Sequence, residues 1–153
     1  MIQDNCIFCK IVKGELPCHK IWEDEKHIAF LSIFPNTEGF TVVIPKHHYS
    51  SYVFDLQDDV LSKLVISAKK VGKLLDLKFD DVGRTGMICE GFGVDHVHIK
   101  LFPMHGTKDM KNWKPIHSNV DKYFSKYEGY ISSHDFKRED DAKLALLAKR
   151  IKS

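Results

Sequence analysis

The spacing of apolar residues predicts two helices. Over residues 58–75 they recur at intervals of three and four, which places them on one face of a long helix. This stripe consists of Val60, Leu61, Leu64, Val65, Ala68, Val71, Leu74 and Leu75. A shorter pattern of the same kind covers residues 140–151 and predicts a C-terminal helix.

Short apolar runs bounded by turn residues predict strands at 27–33, 40–44, 85–89 and 95–102. The first two runs are separated by a turn containing Pro35, Asn36 and Gly39, which suggests an antiparallel hairpin or meander. The order is strands, helix, strands. It predicts an α+β fold in which a helix packs on an antiparallel sheet.

Composition indicates one globular domain and limits the partners and the cellular compartment that we expect for it. The 153 residues are 43% hydrophobic and 29% charged, and the net charge of +2 does not suggest a surface for a nucleic acid polymer. No apolar run is long enough to span a membrane, and residues 1–10 lack the apolar core of a signal peptide. We therefore expect a cytoplasmic protein whose four cysteines are thiols or metal ligands rather than disulfides.

The predicted strand at 95–102 carries three basic side chains on one face. Alternation places His96, His98 and Lys100 on one side, with Cα atoms roughly 7 Å apart from one to the next. A single phosphate can therefore meet His98 and Lys100 together, which leaves His96 for another role. The alternative is a solvated sheet face that happens to be basic.

A glycine turn immediately before this strand favours the phosphate interpretation. Gly91 and Gly93 allow backbone amides to approach a ligand closely and to form a concavity that binds anions. A neutral imidazole, a lysine and such a turn together predict a site that handles a phosphoryl group.

The run His96-Val97-His98-Ile99-Lys100-Leu101-Phe102 resembles the His-φ-His-φ-His-φ-φ signature of histidine triad proteins, where φ is apolar. The resemblance continues upstream in the blocks CIFCKI (6–11), GELP (14–17) and VIPKHH (43–48), so it covers about residues 5–103. It implies an antiparallel sheet of about five strands with a long helix packed on it, usually in a homodimer. We expect a catalytic domain at 1–110, and a C-terminal helical extension of the same domain at 111–153.

For the chemistry, the resemblance implies that His98 is the nucleophile that attacks an α-phosphorus and forms a nucleotidyl-histidine. Gly91, Gly93 and Lys100 are the candidates for binding the phosphoryl oxygens. Lys100 replaces the third histidine of the family, and as a cation it suits binding better than proton transfer. His105 is a candidate proton donor, with an ordinary surface histidine as the alternative.

Two positions bear on the nucleoside. Ser32 stands where the family usually has an aspartate that binds the ribose hydroxyls, and Phe40 stands where a polar histidine is usual. Phe30 is a candidate for stacking on the base, although core packing is the alternative for it and for the other aromatic residues nearby.

Cys6 and Cys9 form a C-x-x-C pair close to the N-terminus, where no strand can precede it as a redox motif requires. The pair supplies half of a tetrahedral zinc site. Zinc-bearing members of the resembled family add a histidine after the Ile-Pro-Lys block and the first triad histidine, which implies His48 and His96. His47 is the competitor for His48, and two free thiols without metal are the alternative to structural zinc.

We thus predict an enzyme of the zinc-binding bacterial-type branch, with lysine in place of the third histidine. It would act as a hydrolase or nucleotidyl transferase at the α-phosphate of a nucleoside phosphoramidate, a dinucleoside polyphosphate or a related small molecule. The alternatives are a nucleotide-binding module with little turnover and a zinc-stabilised interaction protein. The C-terminal region, including Trp113, is a candidate for completing the pocket of a second subunit.

Overall fold

The structure is a computed structural model that describes residues 5–112, 123–127 and 137–152. Its three helices in these ranges are α1 (Ile7–Lys13), α2 (Asp58–Lys78) and α3 (Asp141–Lys152). Its strands are β1 (His19–Glu23), β2 (His27–Leu31), β3 (Thr41–Pro45), β4 (Thr85–Ile88) and β5 (Ile99–Pro103), and a 3-10 turn covers Val53–Asp55.

The strands form one sheet in the order β1-β2-β3-β5-β4, and all neighbouring strands are antiparallel. The chain leaves β3, runs through α2, and returns so that β5 pairs directly with β3. The predicted α+β fold, a five-stranded antiparallel sheet with a long helix and a C-terminal helix, is confirmed.

The apolar stripe of α2 explains where the main core lies. Leu64, Val71 and Leu75 are fully buried and belong to the same cluster as Val43 and Ile99 of the sheet. Helix α3 contributes its own buried face to this cluster through Leu144, Ala148 and Ile151. The helix of the predicted C-terminal extension therefore packs on the same core as α2, whereas Trp113 lies outside the described residues.

The opposite face of the sheet has a smaller apolar cluster, which is covered by α1. Phe8 and Ile11 of α1 pack against Phe30, Val42 and Ile44. Strand β5 alternates between the two faces, since Ile99 and Leu101 enter the main core while Phe102 packs with the smaller cluster. His98 and Lys100, at even positions of this segment, therefore lie on the same face of the sheet as the smaller cluster.

Two elements were missed by the hydrophobic pattern. Helix α1 has only seven residues, and its start is fixed by the Cys6 thiol, which accepts a hydrogen bond from the Cys9 amide at 3.4 Å. Strand β1 is short, and its pairing with β2 is irregular between Lys20 and Trp22. Neither element is long enough to show a clear period.

The predicted strand at 95–102 begins only at Ile99 in the structure. Before that point the chain is held by the segment after β3: the Val97 amide donates to the Tyr49 carbonyl at 3.0 Å, and the Ser51 amide donates to Asp95 Oδ1 at 2.8 Å. Val97 still points into the main core, and the rings of His96 and His98 both contact Phe8 on the other side. The predicted alternation therefore holds beyond the regular strand.

In the described ranges, every helix is too short or too polar to cross a bilayer.

Candidate active site and metal centre

Cys6, Cys9, His48 and His96 come together in one buried cluster, and their ligand atoms all lie within 4.8 Å of one another. The Cys6 Sγ to His96 Nδ1 distance is 3.4 Å. Cys9 Sγ lies 3.5 Å from His48 Nδ1 and 3.7 Å from His96 Nδ1. A tetrahedral zinc ion with ordinary bond lengths separates its ligands by roughly 3.3–3.8 Å, so this donor set fits the metal.

Three separate parts of the chain bring these ligands together. The two thiols come from the first turn of α1, His48 follows β3, and His96 precedes β5. The neighbouring His47 is exposed and packs on Tyr49 instead, whereas His48 is buried with its ring 5.0 Å from that of His96. The structure thus brings His48 rather than His47 to the cluster.

The ring of His96 is oriented for metal binding by a backbone carbonyl. His96 Nε2–H donates to the Pro45 carbonyl at 2.9 Å, which directs the lone pair of Nδ1 to the thiols. Burial lowers the pKa of His96 to about 4. The imidazole is therefore neutral near pH 7, which is the form that binds a metal.

His98 is 2% exposed, and its tautomer is fixed by its own backbone neighbourhood. Its Nδ1–H donates to the His96 carbonyl at 2.8 Å, so Nε2 carries the lone pair. Burial lowers the pKa of His98, although the hydrogen bond to His96 opposes part of that shift. A neutral imidazole with a free lone pair on Nε2 is the state that a nucleophile requires.

Lys100 contacts an acidic residue that the sequence analysis did not identify. Its Nζ donates to Glu90 Oε1 at 2.5 Å, and both side chains are largely buried, at 14% and 5% exposure. Strand register is the signal that could have revealed this contact. Ile88 pairs with Lys100, and Glu90 follows Ile88 by two residues, just before the glycine turn. The charge of Lys100 is therefore balanced within the site.

The glycine turn has the conformation that its sequence suggests. Gly91 and Gly93 have φ values of 74° and 93°, in the region that L-residues with side chains rarely adopt. At Gly91 a Cβ atom would lie 2.8 Å from the Ser51 carbonyl oxygen, so the turn packs closely on the segment after β3. Only glycine fits this position without a shift of the backbone.

His105 lies at the other end of β5 from His98, and both of its ring nitrogens are occupied. Nδ1 lies 3.0 Å from Asp81 Oδ1, and Nε2 lies 3.0 Å from the Glu38 carbonyl. Burial alone would lower the pKa of His105, but these two partners raise it above its usual value. The contacts link two loops and do not bring His105 to His98.

Phe30 and Ser32, the two candidates for contacts with the nucleoside, also have partners nearby in the structure. Phe30 is 5% exposed and packs edge to face on Phe8, with the ring centroids 5.7 Å apart. The Ser32 hydroxyl accepts a hydrogen bond from the Phe34 amide at 3.1 Å, which stabilises the turn after β2. Their roles in nucleotide binding remain predictions.

Comparison with known proteins identifies the family. The HIT domain family model matches residues 13–107, which is more than half of the chain. An uncharacterised HIT-like protein of Methanocaldococcus jannaschii is 39% identical over 104 residues, covering 65% of this chain and 79% of the relative. An adenosine 5'-monophosphoramidase of Schizosaccharomyces pombe is 39% identical over 100 residues, covering 65% of this chain and 74% of the relative.

Solved structures agree with the sequence matches. A hypothetical histidine triad nucleotide-binding protein of Sulfolobus tokodaii superimposes with a TM-score of 0.70 at 25% identity, covering 96% of this chain and 89% of the other. With the family match, the cysteine and histidine cluster and the position of His98 all in agreement, the chain belongs to the HIT, or histidine triad, family.

Proposed function

We propose that this protein cleaves a small nucleotide at its α-phosphate through a nucleotidyl-histidine formed on Nε2 of His98. The observation that carries the proposal is the hydrogen bond from His98 Nδ1–H to the His96 carbonyl, because it leaves Nε2 unprotonated in a buried site. Similarity to proteins named adenosine 5'-monophosphoramidases supports a nucleoside phosphoramidate as the substrate class.

Each neighbouring group then has a defined task. His98 Nε2 attacks the phosphorus, and the amides of Gly91 and Gly93 stabilise the negative charge on the phosphoryl oxygens. Lys100 adds a positive charge from the strand that follows His98. Water, or another acceptor, attacks the nucleotidyl-histidine in the second step and regenerates the imidazole.

We further propose that Cys6, Cys9, His48 and His96 hold a structural zinc ion. All four residues are buried, and a site with four protein ligands leaves no coordination position for substrate. The metal would therefore supply rigidity. Because His96 also provides the carbonyl that orients His98, this rigidity bears directly on the nucleophile.

Intact-mass measurement tests the covalent step. Incubation with adenosine 5'-phosphoramidate should give AMP as product and a transient mass increase of one adenylyl group, and both should vanish in His98→Ala. Absence of both adduct and AMP with the unsubstituted protein would refute the enzyme. The pairing of Lys100 with Glu90 favours one alternative, a module that binds a nucleotide without cleaving it. Nucleotide binding without turnover in the same experiment would support that alternative.

The homodimer implied by the family is also proposed, with the C-terminal extension as a candidate contributor to the partner's pocket. Sedimentation velocity at micromolar concentration tests it. A single species at the mass of one 17.7 kDa chain would contradict it.

A further inference from the structure

The proposed reaction needs a proton that neither His98 nor Lys100 readily supplies. The nitrogen or oxygen that leaves phosphorus must gain a proton, unless it is a very weak base. His98 holds its proton on Nδ1, where the His96 carbonyl accepts it, and Nε2 becomes bonded to phosphorus. Lys100 stands where a third histidine is usual, and its ammonium group already donates to Glu90 Oε1.

Glu90 lies on the same face of the sheet as these two residues. Strands β4 and β5 are antiparallel with Ile88 opposite Lys100, and the same register, continued two residues beyond the end of β4, places Glu90 opposite His98. The Cys89 thiol donates to the His98 carbonyl at 3.1 Å, which shows that the two segments stay adjacent there. Residues opposite each other in such a pair project from the same face.

The two carboxylate oxygens of Glu90 have different surroundings. Oε1 accepts the hydrogen bond from Lys100, whereas Oε2 is buried and has no hydrogen-bond partner within the described part of the chain. A buried oxygen without a partner is unfavourable and uncommon in folded proteins. This arrangement is explained if Oε2 of Glu90 gains a hydrogen-bond partner or a proton only when substrate is bound.

We propose that Glu90 is the acid–base residue of this site, taking the role for which the family ordinarily has its third histidine. In the first step Nε2 of His98 bonds to phosphorus, the bond to the leaving atom breaks, and that atom keeps the electron pair and takes the proton from Glu90. In the second step water bonds to phosphorus and gives its proton to Glu90. The bond from phosphorus to Nε2 then breaks, and its electron pair returns to the imidazole.

Lys100 connects substrate binding to this cycle. When phosphoryl oxygens draw the Lys100 ammonium towards them, Glu90 loses its counter-ion and gains an anionic neighbour. Burial and a nearby negative charge both favour the neutral carboxyl group, which is the form that donates a proton. Glu90 then takes up one proton from solvent water, and this is the proton that it gives to the leaving atom in the first step. This inference rests on the proposed function, and adds to it the group that protonates the leaving atom.

The test compares two leaving groups in Glu90→Gln. Glutamine keeps an oxygen for Lys100 but has no proton to transfer. Formation of the nucleotidyl-histidine is followed in single-turnover experiments, with an alkylamine phosphoramidate of AMP and with the p-nitrophenyl ester of AMP. The alkylamine reaction should slow by about 100-fold or more, the usual size of a general-acid contribution, whereas the ester should slow by less than about 3-fold because p-nitrophenolate leaves without a proton.

Glu15→Gln is the matched control, because Glu15 is exposed and pairs with Lys13 at 3.5 Å on the surface. It should leave both rates unchanged. Equal losses with both substrates in Glu90→Gln would assign Glu90 to the positioning of Lys100 and overturn the proton role, as would an unchanged alkylamine rate. If the unsubstituted protein reacts with neither compound, the proposed function itself fails.

A second measurement does not depend on the variant folding. In the unsubstituted protein, a series of phenyl esters of increasing leaving-group basicity should react at similar rates, since a proton donor compensates for poor leaving groups. A steep fall in rate across the series would overturn the role of Glu90.

Discussion

His96 and His98 are two residues apart, yet their surroundings differ in kind. The donor atom of His96 faces Cys6 and Cys9 in a cluster whose members are all buried. Next to His98 lies the Glu90–Lys100 pair, which retains an oxygen without a partner among the described residues. The first arrangement is typical of a structural centre and the second of a site that changes its bonding during a reaction.

The two regions are joined by one backbone carbonyl. The His96 ring is fixed by Pro45 on one side and by the cluster on the other, and the His96 carbonyl fixes His98. The buried cluster therefore holds the proposed nucleophile in place. This explains how a short segment outside regular strand structure can fix the orientation of the His98 ring.

The largest expected effect separates the two histidines. His98→Ala should reduce turnover of adenosine 5'-phosphoramidate by at least about 1000-fold, because the nucleophile is removed, while bound zinc stays unchanged. His96→Ala should lose both zinc and turnover. Steady-state kinetics and metal analysis of the same preparations check this, and loss of zinc from His98→Ala would contradict the separation.

Removal of one thiol tests the proposed zinc site independently of His98. Cys9→Ala should weaken zinc binding by about 100-fold or more, because a tetrahedral site loses one of its four ligands. Competition with a chromophoric chelator measures the affinity. Cys18→Ala is the control, since Cys18 is half-buried and lies outside the cluster; an equal loss in both variants would refute the assignment.

Substitutions at Gly91 and Gly93 separate the cost of an unfavourable φ angle from the cost of a steric clash. Gly91→Ala should lower the free energy of unfolding by about 2–3 kcal/mol, because it adds a clash with the Ser51 carbonyl to an unfavourable φ. Gly93→Ala should cost only about 1 kcal/mol, because no described atom lies within 4 Å of the added Cβ. Urea denaturation measures both, and the reverse order would contradict the described turn.

We expect the smallest effect from substitution of His105, and we expect its effect on stability to depend on pH. Its pKa is raised in the folded state, so its stabilising contribution is full below the unfolded value of about 6.5 and is lost as pH rises through the folded value. His105→Gln should therefore lower the melting temperature by about 1–2 °C at pH 6 and by less at pH 9. An equal decrease at both pH values would show that the ring acts only through packing, and a larger decrease at pH 9 would contradict the raised pKa.

Much of the fold follows from patterns that the chain repeats. The stripe of α2 and the alternation around His98 each extend over several residues, so the long helix and the two faces of β5 were predictable. Helix α1 was not, because its start depends on the Cys6 thiol and its burial depends on Phe30 and Val42, which are distant in sequence. Such contacts leave no local period.

For the site, the sequence by itself determined which residue types are present and which face of the strand they occupy. It grouped His98 with Lys100 and indicated a metal pair at Cys6 and Cys9. The family resemblance added His48 and His96 to that pair. Only the tertiary structure showed that the four side chains meet in one cluster, and only it identified the His96 carbonyl and Glu90 as the partners of His98 and Lys100. The physical reason is that a hydrogen bond or an ion pair depends on distances of about 3 Å between atoms, and folding alone sets those distances between segments far apart in the chain.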